Sequence, residues 1–113
     1  MSNASAAHHQ TDPAPIFAAL GDRTRLSLLR RLSSGERLSI HALSADTKLT
    51  RQAVTKHLRV LETAGLVASV RVGRESHFAY RPAPVAEARS YLDMVSAQWD
   101  TALERLRALV EQP

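Results

Sequence analysis

The sequence contains no cysteine and only four glycines among its 113 residues. Without cysteine, the chain can form no disulfide, no thiolate metal site and no cysteine nucleophile. Each glycine stands at a boundary between two periodic segments, where helix ends and tight turns need a residue that tolerates positive φ. No glycine cluster remains to form a phosphate-binding loop or a dinucleotide fingerprint, so both nucleotide-binding motifs are absent.

Long hydrophobic runs are also missing. No apolar stretch approaches the ~20 residues that span a bilayer, and the first residues lack the basic-then-apolar pattern of a signal peptide. A cytoplasmic protein without a membrane partner is therefore expected. Residues 1–12 are small, polar and aperiodic, and they are predicted to be a disordered tail. The remainder, residues 13–113, has the length of one domain.

Positive charge is concentrated in one part of the chain. The 15 Lys and Arg side chains exceed the 11 Asp and Glu, which gives a formal net charge of +4. Residues 48–81 carry seven basic and two acidic side chains, whereas residues 82–113 carry three and five. This distribution favours a polyanionic partner for the middle third of the chain, although a solvated surface can carry a similar total charge.

Hydrophobic periodicity and turn residues predict five helices and one β-hairpin, in the order of four helices, the hairpin and a last helix. The fold class is thus mainly α with a small β-hairpin. Asp22, Ser39 and Thr50 are placed to cap the second, third and fourth helices. The predicted ranges are about 14–20, 22–33, 40–46 and 50–65 for these helices, 67–72 and 77–81 for the strands, and 84–111 for the last helix.

The fourth helix has two chemically different sides. At ~100° per residue, Val54, Leu58 and Leu61 lie close together and predict a buried underside. The opposite side of the helix carries groups that can read duplex DNA. Amide and guanidinium groups bond adenine and guanine edges, threonine offers a hydroxyl and a methyl, and lysine binds phosphate. A merely solvated outer face is the alternative interpretation. The side opposite the aliphatic residues carries Gln52, Thr55, Lys56, Arg59 and Thr63, with Arg51 in the first turn.

The segments around this helix favour the DNA-binding interpretation. A short helix, a turn of three to four residues and the fourth helix form a helix-turn-helix, and a hairpin follows directly. Arg71 and Arg74 on the hairpin are placed to reach the minor groove or the DNA backbone, as a wing does. Glu75 beside the hairpin tip weakens the positive field there.

Taken together, these segments resemble the ArsR/SmtB family of bacterial winged helix-turn-helix regulators over about residues 14–111. Three stretches carry the resemblance: FAALGDRTRLSLLRRL, LTRQAVTKHLRVLETAGLV and VRVGRESHFAYRP. The resemblance implies a homodimeric repressor that binds an inverted repeat in a promoter and releases it on a signal. By the family pattern and by charge, the predicted DNA-binding residues are Lys48, Thr50, Arg51, Gln52, Thr55, Lys56, His57, Arg59, Arg71 and Arg74.

Two departures from the family pattern affect what is expected. Thr47 and Lys48 stand where the family commonly has a leucine and then a glycine before the recognition helix. Metal-sensing members carry paired cysteines on the third helix, and here LSIHAL places Ser39 and His41 at those positions. The last helix, where the other family metal site lies, contains no histidine. We therefore expect no metal site and no cofactor, and the effector is unknown.

Other classes of function are less well supported by the sequence. An enzyme is not expected, because neither a nucleophile elbow of the G-x-S-x-G type nor a metal-ligand set occurs. The main alternative to DNA binding is a winged-helix module whose recognition surface binds an acidic protein partner. That alternative predicts no affinity for duplex DNA above nonspecific levels.

The last helix predicts assembly. Its apolar residues Ala88, Leu92, Val95, Trp99, Ala102, Leu106 and Leu109 recur at spacings of three and four. This apolar face is too long for a small domain to cover by itself, so we expect a partner helix, with packing on its own domain alone as the alternative. A two-fold dimer would match the two half-sites of an inverted repeat. The predicted dimer-interface residues are Ile16, Phe17, Leu20, Leu92, Val95, Trp99, Leu103 and Leu106.

Overall fold

The computed structural model of the chain describes residues 12–112, which form five helices and three strands. The predicted tail therefore lies outside the described residues, except for Asp12. All five predicted helices and both predicted strands are present. In chain order the elements are α1 Ala14–Leu20, α2 Arg23–Leu32, β1 Leu38–Ser39, α3 Ile40–Ala45, α4 Arg51–Thr63, β2 Val67–Val72, β3 Glu75–Tyr80 and α5 Ala83–Val110.

The three predicted caps are confirmed. The Asp22 carboxylate accepts a hydrogen bond from the backbone N–H of Arg25 at 3.0 Å at the start of α2. Ser39 caps α3 and Thr50 caps α4 in the same way, through side-chain oxygens that accept backbone N–H groups three residues later. Each cap satisfies a donor that the first helical turn leaves without a partner, so the starts of these helices are encoded locally.

One hydrophobic core joins α2, α3, α4 and the sheet. Phe78 of β3 is fully buried, and it packs in the same cluster as Leu32 of α2 and Leu43 of α3. The aliphatic underside of α4 belongs to this cluster as well. The core therefore fixes the orientation of α4, because rotating the helix about its axis would expose its aliphatic residues and create cavities.

The sheet has one more strand than the sequence predicted. β1 pairs with the outer side of β3 in an antiparallel register that sets Leu38 opposite Phe78, and the strand order is β1-β3-β2. Two residues are too few to show the alternation that predicts a strand. The hairpin turn is also tighter than expected: Val72 pairs with Glu75, which leaves only Gly73 and Arg74 in the turn.

The hairpin faces α4 with its polar side. Ser69 lies on the same side of β2 as the buried Val67, and it contacts α4. Val70 and Val72 lie on the opposite side and are 39% and 45% exposed. The alternation along β2 correctly indicated two faces. The apolar face of Val70 and Val72 is nevertheless the outer one, because Phe78, on the same face of the hairpin as Ser69, fills the core there.

The last helix leaves the core after two turns. Val85 and Ala88 of α5 pack on the core, and the Tyr91 ring lies 6.1 Å from that of Phe17 on α1. With 28 residues, α5 is roughly 42 Å long, and most of it extends past its own domain. Among residues 12–112, no helix combines the length and the apolar character that crossing a membrane requires.

Candidate nucleic-acid interface

The recognition helix α4 has the two-sided burial that its sequence predicts. Val54, Leu58 and Leu61 are all fully buried. Gln52 and Lys56, which point the other way, are exposed. The polar side chains on this helix are therefore held outward by an underside that cannot leave the core without a large cost in buried apolar area.

A groove of about 620 Å³ lies between the start of α4 and α3. Ile40 and Thr55 both line it, and the Thr55 hydroxyl donates to the backbone carbonyl of Arg51 at 2.7 Å. That bond uses the hydroxyl proton and leaves the oxygen and the methyl group of Thr55 available to a ligand. The residues that line the groove are Ile40, Thr50, Arg51, Gln52, Ala53, Thr55 and Lys56.

The turn before α4 is closed by a side chain. The Thr47 hydroxyl donates to the carbonyl of Ser44 at 3.2 Å and accepts from the N–H of Leu49 at 3.1 Å. Thr47 thus ties the end of α3 to the residues that enter α4, where the family pattern commonly has leucine followed by glycine. Lys48 lies in the same turn and is exposed.

The wing tip and the starts of α3 and α4 border a small notch. Gly73 adopts a φ of +64°, which glycine tolerates and which a two-residue hairpin turn needs, and Arg74 beside it is exposed. The notch has a volume of about 220 Å³. Glu75 also lines it, but its carboxylate lies 3.0 Å from His77 Nε2. Arg51 and Arg74 therefore border one notch from α4 and from the wing.

Charge in this region is strongly unbalanced. Glu62 and Glu75 are the two acidic residues between positions 48 and 81. Each has a cationic or titratable partner on its own element, Arg59 at 2.8 Å and His77 at 3.0 Å. The remaining basic residues of the segment thus face solvent with little compensating negative charge, which produces a positive potential suited to a polyanion. These residues are Lys48, Arg51, Lys56, Arg71, Arg74 and Arg81.

Comparison with known proteins agrees with this geometry. A family described as "Helix-turn-helix domain" matches residues 20–70. The HTH-type transcriptional regulator Rv2034 of Mycobacterium tuberculosis is 33% identical over 99 residues, which cover 88% of this chain and 89% of the relative. The solved structure of an ArsR-like transcriptional regulator from Rhodococcus matches with a TM-score of 0.77 at 33% identity, covering 96% of this chain and 99% of that one. The chain belongs to the ArsR/SmtB family.

A more distant member of the ArsR/SmtB family is the arsenical resistance operon repressor of Escherichia coli, which is 26% identical over 98 residues that cover 87% of this chain and 81% of the relative. The fold is the winged helix-turn-helix of these regulators, with α3 and α4 as the helix-turn-helix and β2–β3 as the wing. The protein is accordingly a transcriptional regulator that acts through DNA binding, and the relatives are named as regulators and not as enzymes.

Arg59 is less available than the sequence suggests. Its guanidinium donates to the Glu62 carboxylate at 2.8 Å and lies over the Phe78 ring, 5.7 Å from the ring centroid. The other carboxylate oxygen of Glu62 accepts from the Ser69 hydroxyl at 2.8 Å. The hydrogen bond from Arg59, and to a smaller extent that from Ser69, hold the pKa of Glu62 below its ordinary value. The sequence did not single out Glu62 or Ser69, although the spacing of Arg59 and Glu62 is one at which helical ion pairs form.

His57 lies in a junction between helices rather than on the exposed side of α4. Its Nδ1 is 3.3 Å from a guanidinium nitrogen of Arg25 and 3.7 Å from the Asp22 carboxylate. Arg25 also donates to the carbonyls of Ala18 and Ala19 at the end of α1. The hydrogen bond from the backbone N–H of Arg25, together with the neighbouring His57 and the Arg25 guanidinium, lowers the pKa of Asp22. The sequence did not point to Arg25, because no local pattern shows which carbonyls a long side chain reaches.

The residues predicted for the dimer interface fall into two groups. Ile16 is only 6% exposed and belongs to the core of its own chain, and Phe17 and Leu20 pack partly against that core. Most of those on α5 are in contrast uncovered, and Trp99 is 64% exposed. The exposed fractions of the other exposed large apolar side chains on this part of α5 are Leu92 53%, Met94 51%, Leu103 56%, Leu106 56%, Leu109 67% and Val110 74%, whereas Val95 is half-buried.

Proposed function

We propose that this ArsR/SmtB-family regulator is a repressor that binds an inverted-repeat operator as a homodimer, with α4 in the major groove of each half-site. The observation that carries this proposal is the polar, cationic side of α4, which is held outward beside the wing by a fully buried aliphatic underside. A helix with this arrangement fits the width of the major groove and presents donors and acceptors to base edges.

Phosphate contacts supply most of the affinity in this proposal. Three exposed cations come from three parts of this surface: Lys48 from the turn before α4, Lys56 from α4 and Arg74 from the wing tip. Neutralising phosphates releases condensed counterions, so binding weakens steeply as salt rises. Arg51 and Arg71 extend the same surface. These contacts fix the position of the protein on the duplex and carry no direct sequence information.

Base contacts in this proposal come from the start of α4. Gln52 can bond an adenine edge through two positions, and Thr55 offers its oxygen and its methyl group. Each good contact discriminates against a wrong base by ~1–3 kcal/mol. Arg59, whose guanidinium is of the type that bonds guanine edges, is not included, because that group is held by Glu62. His57 is not included either, since it faces Arg25 and Asp22.

Dimerisation in this proposal uses the uncovered apolar face of α5, together with the outer side of α1. Trp99 and Leu106 belong to a row of large apolar side chains that are more than half exposed. Because a monomer rarely leaves a long apolar row uncovered, this row indicates a partner surface. Residues 13–113 would then form one DNA-binding domain with dimerisation helices at both ends. A two-fold axis between two copies of α5 would place two α4 helices on successive major grooves.

Repression is inferred from the relative in Escherichia coli, whose name is that of an operon repressor. A dimer that occupies a promoter excludes the polymerase by steric overlap. The groups that could sense a signal are not assigned. Among residues 12–112, no cluster of three or more His, Asp or Glu side chains is arranged to hold a metal ion.

The test compares two substitutions on the exposed side of α4. DNA fragments that bind the unmodified protein are selected from a library of the source genome and assayed by fluorescence anisotropy. Gln52→Ala should reduce the preference between matched and mismatched fragments by ~1–3 kcal/mol at one position per half-site. Lys56→Ala should weaken all fragments alike and flatten the slope of log affinity against log salt by about 2 for the dimer.

Two outcomes would contradict the proposal. Failure of the unmodified protein to enrich any fragment would favour the alternative of a winged-helix module that binds an acidic protein. If fragments are enriched but Gln52→Ala leaves their preference unchanged, α4 does not contact the bases in the way proposed.

A further inference from the structure

The structure assigns a positioning role to Glu62. Its carboxylate fixes the wing and the guanidinium group of Arg59 relative to the backbone of the recognition helix α4, so that the wing tip meets the DNA at a set distance from α4. This inference rests on the DNA-binding function proposed above and adds residues to it that contact no DNA themselves.

The two carboxylate oxygens of Glu62 bind two different elements. Oε1 accepts from Arg59 on α4, and Oε2 accepts from the Ser69 hydroxyl on β2, both at 2.8 Å. Ser69 stands opposite Phe78 in the hairpin register, and the Arg59 guanidinium lies over that same Phe78 ring. Four side chains from α4, β2 and β3 thus form one cluster, which we call the wing brace: Arg59, Glu62, Ser69 and Phe78.

The wing brace lies where the hairpin leaves the core. Val67 is buried and Phe78 is fully buried, whereas β2 is exposed from Ser69 through Val72. The hydrogen bond from Ser69 to Glu62 is therefore the last hydrogen bond between α4 and β2 before the strand becomes exposed on both faces. Hydrogen bonds to a charged acceptor are among the stronger ones in proteins, which suits this one to resist bending of the hairpin.

A small change of angle at the brace moves the tip far. Arg74 is five positions beyond Ser69 along the chain, and five steps of ~3.3 Å span roughly 16 Å. A hinge of about 10° at Ser69 would displace the tip by roughly 3 Å, which is the whole length of a hydrogen bond. Loss of the brace therefore breaks or weakens the contact of Arg74 with DNA without touching Arg74.

The sign of the effect separates positioning from simple electrostatics. Replacing Glu62 by glutamine removes a negative charge near a surface that binds a polyanion, so electrostatics alone predicts equal or tighter binding. Positioning predicts weaker binding, because glutamine cannot accept as strongly from Arg59 and Ser69. Glu87→Gln is the matched control, since Glu87 is an exposed acid on α5 that lies outside the wing brace.

The test is a double-mutant cycle between Glu62→Gln and Arg74→Ala in the full chain, with genome-selected duplex fragments as the probe. Arg74→Ala alone is expected to weaken binding ~10-fold, and Glu62→Gln alone by a similar factor. In the Glu62→Gln background, Arg74→Ala should add less than ~3-fold, because the tip no longer reaches its contact. Gln52→Ala should in contrast remain additive with Glu62→Gln, since α4 itself is held by the core.

A second pair of variants keeps the inference testable if Glu62→Gln lowers stability. Ser69→Ala removes the bond to β2 and leaves the ion pair of Arg59 and Glu62, and it should show the same coupling with Arg74→Ala. Arg59→Ala should weaken all fragments alike, whereas a base contact would alter the preference at one position. Thermal unfolding of each variant establishes that it is folded at the assay temperature.

The inference is overturned if Glu62→Gln and Glu87→Gln both bind as tightly as the unmodified protein, or if the effects of Glu62→Gln and Arg74→Ala add. These results would leave the proposed function intact, because enrichment of fragments and the effect of Gln52→Ala do not depend on the wing brace.

Discussion

Replacement of Trp99 by alanine should dissociate the proposed dimer while leaving each subunit folded. A tryptophan offers roughly 200 Å² of surface, and Trp99 is 64% exposed in the isolated chain, so about 130 Å² remains for a partner to cover. At ~25 cal/mol/Å² this is worth about 3 kcal/mol, of which alanine retains a minor part. We therefore expect a loss of ~2–3 kcal/mol per chain and ~4–6 kcal/mol per two-fold dimer.

The assay is sedimentation equilibrium over a series of dilutions. A loss of ~4–6 kcal/mol raises the dissociation constant of the dimer by roughly 10³- to 10⁴-fold. Thr101→Ala is the control, because Thr101 lies about 160° from Trp99 around the helix and its hydroxyl donates to the carbonyl of Ala97 on the same helix. An unchanged dissociation constant for a folded Trp99→Ala variant would refute the assignment of this face to the dimer.

Two further predictions concern stability. Leu58 is fully buried, so Leu58→Ala should lower the free energy of unfolding by ~2–5 kcal/mol in urea titrations. Val60→Ala, on the exposed side of the same helix, should change this free energy by less than ~1 kcal/mol. Equal effects of the two substitutions would contradict the orientation of α4. The pKa of Glu62 is lower in the folded than in the unfolded chain, so its contribution to stability is complete above the unfolded value of ~4.3 and disappears as the pH falls through the folded value. The difference in unfolding free energy between the unmodified protein and Glu62→Gln should therefore shrink as the pH falls below the unfolded value and through the folded one, and a constant difference would contradict the charged hydrogen bonds of the wing brace.

Much of the fold could be predicted because the determining interactions are local. The capping oxygens of Asp22, Ser39 and Thr50 meet backbone groups three residues away, and the spacing of apolar residues in α4 defines its underside without reference to any other element. Strand β1 was missed for the complementary reason. It is two residues long, and it is a strand only because β3 passes beside it.

The exposure of side chains at the candidate site could be predicted from the sequence, but the contacts between them could not. Gln52 and Lys56 are exposed on α4 as the helical periodicity predicted. Arg59 has the same periodic position, yet Glu62 and the Phe78 ring hold its guanidinium toward the wing. His57 likewise faces Arg25 and not the solvent side of the helix. Periodicity places a side chain on a face, but the length and flexibility of arginine let its charged end reach a neighbouring element.

The sequence by itself determined where the helices begin, which side of α4 is buried and where positive charge collects, because each depends on residues within a few turns of one another. Only the tertiary structure decided that Glu62 joins α4 to the hairpin, that Ile16 is covered by its own chain and that the distal part of α5 is not. Those outcomes depend on the angles at which separate elements pack, and packing angles arise from the whole core at once.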